Sequence, residues 1–175
     1  MATKTQLVLN LLSLAFWIIF IGLCIKTGTI LYSWLLSMTF NSAASANLYL
    51  GMDFSPLLDF NLYHYFMLGA ILIAITAFQA YIAYLVINIL LKLRIREPFS
   101  EEILWHIKKI ARLALATAFL ALYAEGYSKW LDAKQITLAV DWAGGEILFF
   151  AGIIYLIAQI FQRGLKLQKE NELTI

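Results

Sequence analysis

Four long apolar runs, separated by polar stretches, dominate the pattern of hydrophobic and polar positions along the chain. They cover residues 7–25, 66–91, 110–130 and 142–161. A helix needs about 20 apolar residues to cross the hydrocarbon core of a bilayer, and each run is close to that length or longer. The pattern predicts an all-α membrane protein in which four transmembrane helices form two hairpins, packed as a four-helix bundle.

The first run, 7–25, has an alternative interpretation as a secretory signal peptide, because Lys4 precedes it. Its apolar core is longer than the usual core of about 7–15 residues, and no small-residue cleavage site follows closely. We expect an uncleaved span. The residues Thr27-Gly28-Thr29 are expected to end this helix. An apolar outer loop is then predicted over 26–63, lying on the bilayer surface or capping the helix ends.

A basic hinge, residues 92–109, joins the two predicted hairpins. Pro98 disfavours helical backbone at the residue before it, and Ser100 is a good N-cap for the helix that follows. Glu101 and Glu102 in the first turn complement the helix dipole. The third helix is therefore expected to begin at the membrane surface and to continue without a break into the third span.

The first part of this third helix is predicted to be amphipathic. Its apolar residues recur at intervals of three and four positions: Ile103, Ile107, Ile110 and Ala114. The polar and aromatic residues are expected on the other faces: Trp105, His106, Lys108, Lys109 and Arg112.

The distribution of Lys and Arg predicts the orientation in the membrane. Ten of the thirteen lie in the N-terminal segment, in the stretch 92–112 that holds the hinge and Arg112, and in the tail 162–175; the other three are Lys26, Lys129 and Lys134. Short cytoplasmic loops carry an excess of basic residues. Both termini and the hinge are therefore expected in the cytoplasm.

Composition agrees with the membrane class and limits the number of domains. Hydrophobic residues make up 62% of the chain and charged residues 14%, against about 45–50% and 25% in average soluble domains. The predicted spans and their connections leave no room for a second large soluble domain, so residues 1–175 are expected to form one membrane domain. Cys24 is the only cysteine, which excludes an intramolecular disulfide.

The sequence offers little support for catalysis or for a metal or other cofactor. The two histidines, His64 and His106, are predicted at opposite membrane surfaces, and no Cys or His spacing is typical of a metal site. Neither a glycine-rich phosphate loop nor an assignable Ser/His/Asp set is present. We expect a protein that is not an enzyme and has no cofactor.

Glu125 and Glu146 are the best candidates for buried chemistry, because both lie in the outer ends of predicted spans. An ionisable residue within a span is a functional hypothesis by default. As a hypothesis, the two carboxylates would face a pocket under the first outer loop and bind a cation or a lipid headgroup. The alternative is structural: Lys129 follows Glu125 at the spacing of a helical ion pair, and Glu146 is one turn from the interface.

The hinge has three interpretations. The first is a topological signal that sits near anionic headgroups. The second is a partner for the acidic tail, in which Glu170 and Glu172 pair with Arg94, Arg96 or Lys108. The third is a docking site for a cytoplasmic protein. The candidate docking residues are Arg94, Arg96, Pro98, Phe99, Ser100, Glu101, Arg163, Gly164, Glu170, Leu173, Thr174 and Ile175.

Two short motifs carry a resemblance to a known family. They are Arg96-Glu97-Pro98-Phe99-Ser100-Glu101-Glu102, with Ile107-Lys108-Lys109-Ile110 behind it, and Phe161-Gln162-Arg163-Gly164-Leu165 with the tail to Ile175. In these residues the chain resembles the bacterial membrane-protein family catalogued as domain of unknown function 2975. It departs from that family at Ile103, where a polar residue is common.

The resemblance implies four spans with a variable first outer loop in the bacterial cytoplasmic (inner) membrane. It supplies no reaction. Relatives are often encoded beside small helix-turn-helix regulators, which implies a cytoplasmic regulatory partner.

We therefore expect a non-enzymatic integral membrane protein that senses or scaffolds, coupling the membrane or its outer side to a cytoplasmic partner. The alternative is a small transporter, or a lipid- or ligand-binding protein, that uses Glu125 and Glu146. No direct binding of nucleic acid is expected, and homo-oligomer formation is left open.

Overall fold

A computed structural model of the chain describes residues 2–92 and 100–172. These residues form helices and turns and contain no strand, which confirms the predicted all-α class for the described part of the chain. The α-helices are α1 (Ala2–Thr39), α2 (Ser55–Phe60), α3 (Leu62–Lys92), α4 (Glu101–Asp132) and α5 (Gly144–Glu172), and a 3₁₀ helix (Ser42–Asn47) lies between α1 and α2.

The first helix does not end at Thr27-Gly28-Thr29, as predicted, but continues to Thr39. A glycine inside a helix costs only about 1 kcal/mol relative to alanine. Beyond it, Ile30 and Trp34 are buried, and the Trp34 ring lies 5.2 Å from the ring of Phe66 on α3. Packing against α3 therefore offsets the weak helix propensity, and the loop predicted over 26–63 begins only after Thr39.

The shortened loop is folded into a cap. Leu48, Phe54 and Leu57 are completely buried, and the Phe54 amide donates to the Ser45 carbonyl at 2.8 Å. The cap rests on α1 and α3. Apolar loop residues are thus removed from solvent by packing on one another and on the helix ends.

The long helices lie antiparallel to their neighbours in an open row. Contacts join α1 to α3, α3 to α4 and α4 to α5; within the described ranges, α1 contacts neither α4 nor α5. The predicted packing as a four-helix bundle is therefore not confirmed. The first part of α1 is mostly apolar and largely exposed. In a membrane, lipid tails solvate such a surface about as well as a neighbouring helix does, so it needs no helix against it.

The helix α4 packs between α3 and α5 and is less apolar than α1 and α3. Its buried residues are mostly small: Ala111, Ala114, Ala118, Ala121 and Ala124. Small residues let helix backbones approach closely in a membrane. Arg112 and Glu125 limit its uncharged stretch to the 12 residues 113–124.

Length and composition suit three helices of the described chain for crossing a membrane. They are residues 6–39 of α1, α3, and residues 144–170 of α5. These helices are compatible with a multi-pass membrane protein, and α4 is not among them.

Candidate functional site

The two ends of the row differ in chemistry. We call residues 40–61 and 133–143 the loop end, and residues 100–112 and 162–172, together with Lys92, the basic end. Each predicted candidate that the structure describes falls at or beside one of them.

Glu125 lies on α4, beside the loop end, in an ion pair with Lys129. The Lys129 Nζ and Glu125 Oε1 atoms are 2.8 Å apart, one helical turn from each other. The helical ion pair considered for Glu125 is therefore present. The carboxylate is partly exposed, with 36% of the side-chain surface accessible.

The start of α5 packs directly on Glu125. A Cβ atom added to Gly144 would lie 3.0 Å from Glu125 Oε2 and 3.0 Å from the Leu122 backbone nitrogen. Only glycine allows this approach without a shift of the neighbouring atoms. Trp142, just before α5, is buried, and its Nε1 donates to Ser128 Oγ at 2.8 Å. The Glu125 carboxylate thus lies where the positive end of the α5 dipole favours negative charge.

Glu146 is exposed in the first turn of α5, two residues beyond Gly144. Both predicted carboxylates therefore lie near the start of α5. Among the described helices, the 3₁₀ helix and α2 contact α1, α3 and each other. The position of the two carboxylates in a pocket under the first loop stays a prediction. Binding of a ligand or ion by this pair stays a prediction.

An aromatic cluster beside the loop end was missed by sequence reasoning. The ring of His64 on α3 stacks on Phe60 at 5.3 Å, and its Nδ1 shares a hydrogen bond with the Tyr127 hydroxyl of α4. Trp130 lies 5.9 Å from His64, and Lys134 Nζ is 4.8 Å from the Trp130 ring centre. Such rings are typical of a membrane–water interface. The spacing of Tyr127 and Trp130 on one face of α4 was the signal available.

At the basic end, Ser100 caps α4 as predicted. Its side-chain oxygen accepts a hydrogen bond from the Ile103 amide at 3.2 Å. Two ion pairs follow: Glu101 with Lys169 of α5, and Glu102 with Lys92 of α3. The hydrogen bond and charge of each lysine hold the pKa of its glutamate partner below the ordinary value.

Hinge and tail are therefore in contact, but through residues other than the predicted pairs, whose partners Arg94 and Arg96 lie outside the described residues. The hinge contributes the carboxylate of Glu101 and the tail contributes the ammonium of Lys169. Glu170 lies within 3.7 Å of Lys166 on its own helix. Arg163 is exposed and Gly164 half-buried within α5, which continues to Glu172. The other docking candidates lie outside the described residues: Arg94, Arg96, Pro98, Phe99, Leu173, Thr174 and Ile175.

The buried stripe at the start of α4 differs from the predicted one at His106 and Ala111, which are also buried, and at Ile107. His106 is buried, whereas Ile107 is only partly buried. The Nδ1 atom of His106 makes a hydrogen bond with the Glu102 carbonyl at 2.8 Å. This bond satisfies a polar atom that would otherwise be costly to bury.

Metal binding has no counterpart in the described residues, where no three His, Cys, Asp or Glu side chains come together. His64 lies beside the loop end and His106 at the basic end.

Comparison with known proteins adds a family but no function. A model of the family described as Protein of unknown function (DUF2975) matches residues 54–175. No curated protein and no solved structure matches the chain significantly.

Proposed function

The chain belongs to the DUF2975 family of proteins of unknown function, and from this premise we propose that it is a four-span scaffold or sensor of the bacterial cytoplasmic membrane. It acts without catalysis and couples the membrane or its outer side to a cytoplasmic regulatory protein. The observation that carries the proposal is α4, one continuous helix that joins the packed loop end to the ion-paired basic end.

In this proposal α4 also crosses the membrane, as the third of four spans along the chain. Its 32 residues correspond to about 48 Å, enough to cross the hydrocarbon and both interfaces. Its charges lie near the two ends of the uncharged stretch: Arg112 is exposed on the basic side, and Glu125 is paired with Lys129 on the other. Long basic side chains near helix ends extend to the interface, and α3 and α5 flank the helix on both sides.

Coupling requires an element that can occupy two arrangements. In this proposal the ion pairs of the basic end are that element. Their side chains are 45% to 74% exposed; the four residues are Lys92, Glu102, Lys169 and Glu101. Exposed pairs contribute about 1 kcal/mol or less, so a partner that binds there can displace them. A shift of α4 against α3 or α5 would break or form the same pairs.

The topology is tested by labelling single cysteines in a Cys24→Ser background. Leu50, 84% exposed at the loop end, and Lys166, exposed at the basic end, are each replaced by cysteine. In intact cells a membrane-impermeant maleimide is expected to label L50C, and to label K166C only after permeabilisation. The reverse pattern contradicts the orientation, and labelling of both in intact cells contradicts the four-span count.

The scaffold role is tested by exchanging the charges of one ion pair. In membranes from the native host, a photo-crosslinker at position 162 is expected to capture one cytoplasmic protein, and a crosslinker at 134 serves as the control. E101K alone is expected to change the captured amount, and the E101K/K169E exchange to restore it. Equal capture in all three forms contradicts coupling through this ion pair.

The alternative, a small transporter or ligand-binding protein, draws on the partly exposed Glu125 carboxylate at the start of α5. Proteoliposomes with a pH-sensitive dye inside test it for protons, and an imposed potassium gradient tests it for cations. Flux that is lost in E125Q and kept in the exposed-site control D132N favours this alternative over the scaffold.

A further inference from the structure

A polar cleft opens between α4 and α5 at the basic end. Its volume is about 220 Å³. Five polar side chains surround it: Lys108 and Arg112 from α4, and Tyr155, Gln159 and Gln162 from α5. They follow helical spacing on each helix, so two facing stripes line the opening.

Two alanines form the floor of the cleft. Ala111 on α4 and Ala158 on α5 are 2% and 1% exposed. Because these side chains are small, the backbones approach closely there, and the longer side chains on either side enclose a space instead of filling it.

No carboxylate of the described residues is paired with the two cations of the cleft. Lys108 and Arg112 are one helical turn apart, a spacing at which like charges repel. In residues 2–92 and 100–172, every recorded ion pair involves other lysines and carboxylates. No side-chain hydrogen bond is recorded there for the two cations or for the three α5 residues that face them. The cleft thus combines positive charge with unused donors.

We propose that this cleft binds the phosphodiester group of an anionic phospholipid. The arginine guanidinium presents paired donors that match phosphate oxygens, and the lysine, the glutamine amides and the tyrosine hydroxyl add further donors. Basic pockets between membrane helices are suited to anionic headgroups.

A lipid fits this surface better than free phosphate. On α5 the cleft adjoins Leu156 and Ile160, which are 62% and 69% exposed and apolar. Acyl chains would cover these residues while the headgroup occupies the cleft. The inference rests on the membrane topology proposed above, with Arg112 at the edge of the uncharged stretch of α4, and does not depend on the scaffold role.

Native mass spectrometry of the purified full chain in detergent tests the site. The protein is titrated with dioleoylphosphatidylglycerol, with dioleoylphosphatidylcholine and, separately, with millimolar inorganic phosphate as competitor. The wild type is expected to prefer phosphatidylglycerol, and K108Q/R112Q to bind it roughly tenfold more weakly. The matched control K26Q/K134Q removes the same charge away from the cleft and is expected to bind like the wild type.

A second variant protects the test against misfolding. Gln162 is exposed, so Q162E should fold normally. It places a carboxylate beside the bound phosphate and is expected to weaken the binding of phosphatidylglycerol but not of phosphatidylcholine. Equal binding by all variants overturns the site, and competition by inorganic phosphate overturns the assignment to lipid. Retention of the wild type in carbonate-washed membranes tests whether it is integral to the membrane. If it is retained but shows no lipid preference, the lipid site is contradicted and the membrane topology is not. Extraction by carbonate overturns the topology as well.

Discussion

The loop end and the basic end are held together by different forces. At the loop end, large apolar side chains such as Leu48, Phe54 and Leu57 are completely buried. At the basic end, α4 is joined to α3 and α5 through the partly exposed pairs Lys92–Glu102 and Lys169–Glu101. Ile103, Ile110 and Leu165 are buried at the basic end too, but among the described residues only this end has ion pairs that join one helix to another.

The difference has an energetic meaning. Complete burial of one large apolar side chain contributes about 1.5–3 kcal/mol, whereas an exposed ion pair contributes about 1 kcal/mol or less. Segments that move on binding come from the weakly held parts of a structure. The loop end is therefore expected to fix the fold and the basic end to respond to partners and lipids.

Truncation of a packed loop residue should have the largest effect. Phe54→Ala is expected to destabilise the protein by about 3–5 kcal/mol, because it removes a buried aromatic ring and leaves a cavity. Thermal unfolding in detergent, followed by tryptophan fluorescence, measures the loss. Phe40→Ala is the matched control, since that ring is 87% exposed, and equal melting temperatures for the two variants would contradict the account of the loop end.

Overpacking the α1–α3 contact should have the next largest effect. A Cβ atom on Gly69 would lie 2.0 Å from Trp34 Nε1, so Gly69→Ala is expected to force the indole ring aside at a cost of about 1–3 kcal/mol. The same melting experiment measures it. Gly126→Ala, where nothing lies within 4 Å of the added carbon, should raise or maintain stability. An equal loss of stability in both variants would contradict overpacking against Trp34 as the cause.

Sequence reasoning worked where the determining interactions are local. The start of α4 followed from Ser100 and the acidic first turn, and the ion pair of Glu125 followed from a lysine four residues later. Both depend on residues within one helical turn. The all-α class likewise followed from the length of the apolar runs.

It failed where distant segments decide the outcome. Gly28 does not end α1 because packing of Trp34 on α3 outweighs its helix propensity. The pairing of Lys169 with Glu101 joins residues far apart in the sequence. Intervals of three and four both suit a helical stripe, so periodicity alone did not distinguish His106 from Ile107 as the buried residue.

Removal of the α4 cap should have a moderate and local effect. Ser100→Ala is expected to cost about 1 kcal/mol, because the Ile103 amide loses its side-chain acceptor. Hydrogen exchange in detergent should show faster exchange in the first turn of α4 and unchanged exchange at the loop end. Ser100→Asp keeps an acceptor and should exchange like the wild type, whereas equal acceleration in both variants would assign the effect to something other than the cap.

Acidification should produce the smallest effect, confined to the basic end. The pKa values of Glu101 and Glu102 are lowered from the ordinary value of 4.5 by their lysine partners. A lowered folded-state pKa means that the contribution is present above 4.5 and is lost as the pH falls through the lower, folded-state value. Spin labels on α4 and α5 at the basic end should therefore show a wider distance distribution in acid than at neutral pH.

The charge dependence of this widening separates it from general acid unfolding. In E101Q/E102Q the distribution should already be wide at neutral pH and should change little in acid, because neither glutamine titrates. E146Q, with the same chemical change at the first turn of α5, should behave like the wild type. High salt should widen the wild-type distribution at neutral pH, since exposed pairs are screened. A wild-type distribution that is insensitive to both acid and salt would mean that packing, and not charge, holds the basic end.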